Sequence, residues 1–236
     1  MKATWFLLLV LALPLSADLY YLDQPVPVSL KHGEFMVAGR LQSGGGIMTR
    51  ASVGLFDRLT LGLSYGIDGF FGHGTPSLPP VEAVGFQGRG LVLEEGSWNP
   101  AMLVGFESQG YDGYDTAGKR FITLPPGGYL VLGKTIWSSR TEISIGANYW
   151  PPAYPSGFDG HLAVREFCFP DWDFILEYDL ATNDRPDHYF PGLLNLAVAR
   201  TINGNVNLKL ALRDILSCHS NYGLNRVFDI SFQQRF

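Results

Sequence analysis

The sequence predicts an all-β chain closed into a single antiparallel transmembrane β-barrel of about twelve strands, and three observations predict it. Beyond Lys31, apolar residues alternate with polar or small ones at period two, in segments of about ten residues bounded by turn formers. The connections between these segments alternate between short and long. The composition is 46% hydrophobic and only 17% charged, yet no stretch after the first residues is apolar enough for a membrane helix. A barrel reconciles the three. In hydrocarbon every backbone N–H and C=O must find an internal partner, so a closed barrel is the only spanning alternative to helices, and only every second residue faces lipid.

The elements follow in order. Residues 1–17 read as an export signal: Lys2, an apolar run over 5–13, and Pro14-Leu15-Ser16-Ala17 before the expected cut. Residues 18–32 are expected to form an N-terminal periplasmic segment, and 33–236 the barrel. Strands are expected at 33–42, 46–54, 58–66, 82–93, 100–109, 128–137, 140–149, 160–169, 172–181, 192–202, 205–215 and 226–236. Their faces separate cleanly in several cases. Leu59, Leu61, Leu63 and Tyr65 oppose Arg58, Thr60, Gly62 and Ser64, and Val206, Leu208, Leu210 and Leu212 oppose Asn207, Lys209 and Arg213. Likewise Thr141, Ile143, Ile145, Ala147 and Tyr149 oppose Glu142, Ser144, Gly146 and Asn148, while Tyr129, Val131, Gly133, Thr135 and Trp137 are read as a lipid face opposing Lys134.

The connections set the orientation. Turns such as Leu55-Phe56-Asp57, Ser138-Ser139, Pro170-Asp171 and Asn203-Gly204 are short, whereas 67–81, 110–127, 150–159, 182–191 and 216–225 are long. Short periplasmic turns, long extracellular loops and an even strand number are the pattern of outer-membrane barrels. Trp137 and Trp172 at the short-turn ends, and Tyr65, Tyr129 and Tyr149 at the long-loop ends, suit two interfacial girdles. The last strand, with Phe228, Ile230 and Phe232 on one face, ends on Phe236, which resembles the signal read by the outer-membrane barrel assembly machinery. Outer-membrane lipid, that machinery and a polysaccharide are the expected partners.

Other classes are excluded by composition. The net charge of −5, with no basic concentration, removes nucleic acid as a partner. Two cysteines without C-x-x-C spacing make neither a disulfide scaffold nor a structural zinc site, and no cofactor motif is present. Cys168 and Cys218 fall at opposite ends of the wall and should not pair.

Charge is expected on the inward face: Arg40, Arg50, Arg58, Arg89, Glu107, Lys134, Glu142, Arg165, Glu177, Asp179, Lys209 and Arg213. Arg165 is expected opposite Glu177, and Lys134 near Glu142. Two readings stand: an arginine-rich wall facing carboxylates that orients a passing polar solute, or an ion-pair network that fills a closed lumen. An enzymatic alternative rests on Asp184, Asp187 and His188, since an aspartate beside a histidine at a barrel mouth could activate water. Tyr111, Asp112, Tyr114 and Asp115 read either as a polar turn with interfacial tyrosines or as sugar or calcium contacts.

Residues 46–62, around Leu55-Phe56-Asp57-Arg58-Leu59, then Trp98-Asn99-Pro100-Ala101-Met102-Leu103-Val104-Gly105-Phe106, and the closing Arg226-Val227-Phe228-Asp229-Ile230, resemble segments of the YjbH-like outer-membrane barrels. The resemblance implies an outer-membrane barrel linked to exopolysaccharide production or export, with no established catalytic residues to carry over. The expected function is a structural or narrow passive pore in the outer membrane, without a cofactor.

Overall fold

A computed structural model describes residues 18–72, 76–80, 83–136, 140–151, 157–169, 171–183, 192–216 and 225–236. The signal segment 1–17, Trp137, Cys218 and the Asp184, Asp187, His188 cluster lie outside them. Among the described residues fourteen strands are formed: β1 (Glu34–Leu41), β2 (Ile47–Leu55), β3 (Leu59–Ile67), β4 (Gly85–Leu93), β5 (Ala101–Glu107), β6 (Tyr111–Asp115), β7 (Arg120–Thr123), β8 (Gly127–Ile136), β9 (Thr141–Tyr149), β10 (Phe158–Phe169), β11 (Trp172–Asp179), β12 (Leu193–Ile202), β13 (Val206–Arg213) and β14 (Asn225–Arg235).

Twelve of them make one closed antiparallel barrel, with β5 pairing β8 directly and β1 sealing against β14 from Glu34↔Arg235 to Leu41↔Phe228. Closure leaves no unpaired edge. Local chemistry sets the tight turns. Asn203 and Gly204 both have positive φ (51° and 71°), the primed-turn geometry that this dipeptide favours. Phe56 and Asp57 adopt the same handedness in the β2–β3 turn.

Alternation sorts the faces. Val37, Leu63, Phe86, Val104, Leu130, Ile145, Leu162, Leu176, Leu196, Leu210 and Ile230 are exposed on the outer wall, as lipid-facing positions require. On the inside, Arg40, Arg50, Arg89, Glu107, Arg165, Glu177, Asp179, Lys209 and Arg213 are buried.

Four expectations are corrected. In β8 the phase is inverted: Tyr129 and Val131 face the lumen, packing with Leu103, while Leu130 faces out. Both faces of 129–132 are apolar, so alternation alone does not choose between them. Lys134 therefore leaves the lumen, and at the short-turn rim its ammonium sits 3.1 Å from Glu95 and donates to the Gly96 carbonyl. Arg58 lies in the β2–β3 turn rather than in β3, and is exposed beside Glu94 at 3.7 Å. The 110–127 connection holds a further hairpin, β6–β7, apart from the barrel sheet. Finally, residues 18–32 do not form a periplasmic segment: Leu19 to Val26, together with Ser29 and Leu30, are buried inside the barrel.

Candidate functional site: a lumen occupied by the chain's own N-terminal hairpin

The chain enters the lumen at the short-turn rim. There the His32 amide donates to Asp57 Oδ1 (2.8 Å) and the Leu30 amide to Thr60 Oγ1 (2.9 Å). Gly54 makes the entry possible, since a Cβ there would stand 2.1 Å from the Lys31 carbonyl oxygen. The segment passes Gly133, where a Cβ would meet Pro27 at 2.4 Å. It turns at Tyr21–Gln24 (Tyr21 N to Gln24 O, 2.9 Å) and doubles back, with the Val26 amide donating to the Leu19 carbonyl (3.0 Å).

The tip reaches the long-loop ends of β1, β11 and β13. The amides of Leu22, Asp23 and Gln24 converge on Glu177 Oε2 at 3.0, 3.1 and 2.9 Å, and Asn195 donates to the other oxygen at 2.8 Å. A carboxylate that accepts several amide donors satisfies groups that would otherwise be buried without a partner. The Asp23 carboxylate bridges two guanidinium groups, Arg40 at 2.7 Å and Arg213 at 2.6 Å. Arg40 also reaches the Leu22 carbonyl (2.6 Å) and Asp229 (2.7 Å).

Below the tip, Tyr20 lies under two guanidinium groups, its ring centroid 3.9 Å from Arg50 and 4.6 Å from Arg89. Its hydroxyl donates to Glu107 (2.7 Å), and Glu107 in turn pairs with Arg50 (2.9 Å). Arg89 donates to the Leu19 carbonyl (2.7 Å). Lys209 donates to the Tyr20 and Tyr21 carbonyls (2.8 and 2.5 Å) and pairs with Asp18 (2.6 Å). The Tyr21 hydroxyl donates to Glu142, which is partly buried on the lumen face.

The β6–β7 hairpin covers the tip. The Tyr111 ring lies 4.6 Å from Arg40 and 5.4 Å from Arg213, and its hydroxyl donates to the Asp23 carbonyl (3.2 Å). Tyr111 is thus buried, not interfacial. Asp112 accepts from Thr123 (2.7 Å), Asn225 (3.2 Å) and Arg213. Burial pushes its carboxyl up, but Arg213 and these donors outweigh burial and hold it below the usual aspartate range.

The lumen side chains are therefore brought together by the hairpin more than by one another. The expected Arg165–Glu177 pair is not formed: Arg165 stands opposite Ile175, and Glu177 opposite Ala163. Arg165 lies instead across from Glu142, 3.9 Å away, and Lys134 does not meet Glu142, whose partner on β8 is Thr135. Tyr20, Asp23, Tyr111 and Asp112 were absent from the expected lumen. Tyr20-Tyr21-Leu22 is a legible signal in retrospect, being more apolar than a solvated linker needs. Cys168 is a free, exposed thiol on β10.

The packed hairpin leaves a void of about 30 Å³ beside β1, β2 and β13, about the room of one water. A cavity of about 380 Å³ at the short-turn end and one of about 260 Å³ at the long-loop mouth share no lining residue.

No family model and no curated protein matches the sequence. Among solved structures, the barrel is similar to the KdgM porin, with a TM-score of 0.52 at 8% identity, over 86% of this chain and 99% of that one. It is similarly close to the KdgM porin in complex with disordered oligogalacturonate, with a TM-score of 0.51 at 9% identity, over 86% and 99% of the two chains. At these identities the likeness is one of fold, and it defines the class: a porin-type β-barrel.

Proposed function

We propose that the protein is a non-enzymatic outer-membrane channel, exported by residues 1–17 and inserted through its C-terminal strand, whose pore is held shut by residues 18–31. One observation carries the reading: beside the apolar packing of Tyr21, Leu22 and Val26 on Ile175 and the wall alanines, the hairpin is held by a dense set of polar contacts. The hairpin meets the wall through two carboxylates, Asp18 and Asp23, and the carbonyls of Leu19 to Leu22, all directed at Arg40, Arg89, Lys209 and Arg213. A barrel needing only mechanical support would be served as well by an apolar core. A wall of cations satisfied by borrowed oxygens exchanges them for those of a solute.

An acidic oligosaccharide supplies such oxygens, as carboxylates and hydroxyls along an extended chain. The similarity to a porin in complex with disordered oligogalacturonate, and the resemblance to YjbH-like barrels, support an anionic saccharide or exopolysaccharide as the cargo. Liposome swelling tests this with protein lacking residues 18–31. Entry of trigalacturonate is expected to exceed that of a neutral trisaccharide, and Arg89→Gln with Lys209→Gln to narrow the difference. Equal entry of the two sugars would contradict an anionic cargo.

A further inference from the structure

Among the buried lumen cations, Arg165 stands apart. Arg40, Arg50, Arg89, Lys209 and Arg213 each have an oxygen within 2.9 Å. Arg165 is equally buried, yet among the described residues its Nε and Nη2 have no partner and its nearest carboxylate, on Glu142, is 3.9 Å away, beyond hydrogen-bond distance. Its guanidinium lies 4.9 Å from the Tyr21 ring, which offers a face but no acceptor. Leaving a buried charge without hydrogen bonds is costly, and a group left so calls for an explanation, a bound ion or ligand among them.

Arg165 lines the cavity of about 380 Å³ at the short-turn end. That volume lies within the ordinary range for small-molecule sites. About half of the rest of its wall is apolar, Val26, Pro27 and Val28 from the hairpin with Leu91, Ala101 and Phe167 from the barrel; Ser29, Lys31, Thr135 and four acids make up the polar part. The two acids nearest Arg165 are already engaged, Asp18 by Lys209 and Glu142 by the Tyr21 hydroxyl. Glu94 and Glu95, at the rim, face Arg58 and Lys134.

We propose that this cavity is a binding site for a small organic carboxylate arriving from the short-turn side, its carboxylate on Arg165 and its apolar body against Val26–Val28 and Ala101. The site does not depend on what the open barrel would transport. Because Asp18, Val26, Pro27, Val28, Ser29 and Lys31 of the N-terminal segment form part of its wall, the carboxylate binds the closed state.

Saturation-transfer NMR on the full-length protein in detergent tests it with butyrate, butyramide and butylammonium as probes. Butyrate is expected to bind, and the other two to bind at least about tenfold more weakly, as loss of one charge-assisted interaction implies. Arg165→Gln should abolish the preference for butyrate, Arg165→Lys should retain part of it, and Arg200→Gln on the outer wall should leave it unchanged. Comparable binding of butyrate and butyramide to the wild type, or no butyrate binding at tens of millimolar, overturns the proposal whether or not the Arg165 variants fold. Neither outcome bears on whether hairpin removal opens the barrel.

Discussion

Asp23 carries the closed state at the scale of single residues. It bridges two guanidinium groups inside the barrel, with side-chain exposure of 6% against 5% and 3% for Arg40 and Arg213. Removing one partner of a buried pair leaves charge without compensation, at a cost of about 3 kcal/mol or more. Asp229 and Asp112 still contact the two arginines, so Asp23→Ala is expected at the low end of that range. A lower urea midpoint together with more frequent channel openings would meet the expectation, and an unchanged midpoint would contradict it. Phe56 is a second case. It is exposed and holds a φ of 54°, a conformation that costs a bulky side chain about 1 kcal/mol. Phe56→Asn, which tolerates that region, should raise the urea midpoint correspondingly. Most inward charges were legible at this scale because a charge on a strand of period two has only one tolerable face. Arg58 was not, since its position hung on a turn boundary one residue away.

Strands were legible as elements wherever one face was plainly apolar, as in β3, β9, β13 and β14. β8 was not, because both faces of 129–132 are apolar, and the inward choice goes with packing on Leu103 of the adjacent strand β5, which stands opposite Val131. The N-terminal hairpin and β6–β7 were missed for a related reason. Neither belongs to the barrel sheet, and what fixes them is contact with wall residues far away in sequence, such as Tyr20 with Glu107 and Asp112 with Arg213. Two tests belong to these elements. Gly133→Leu puts side chain where Pro27 now lies, so it should loosen the hairpin and raise the protease sensitivity of residues 18–31 in the folded barrel, while unchanged sensitivity would argue against the contact. The Asp112 clasp has a sign fixed by its lowered carboxyl. Its stabilisation is present above the unfolded value of about 3.9 and is lost as pH falls through the lower folded value. Amide exchange in Tyr111–Asp115 should therefore stay protected down to about pH 4 and rise only in stronger acid. Loss of protection near neutral pH would contradict the clasp.

For the whole molecule, the sequence left open a charged pathway and a packed network; the described lumen is packed, and under the proposed function the same wall becomes the pathway once the hairpin leaves it. The wall supplies the arginines and carboxylates, and a segment just N-terminal to the first strand supplies the oxygens and aromatic faces that join them. The shape of the barrel was legible because it follows from alternation and loop length, which are local. Occupancy of the lumen was not, because it depends on how a short polar and aromatic segment fits a space that only the closed barrel creates. Planar-bilayer conductance of the full-length chain beside a variant lacking residues 18–31 tests the central claim most directly. The full-length protein should be closed for most of the recording and the deleted one should conduct steadily; equal conductance of the two, open or closed, would contradict a pore shut by its own N-terminal hairpin.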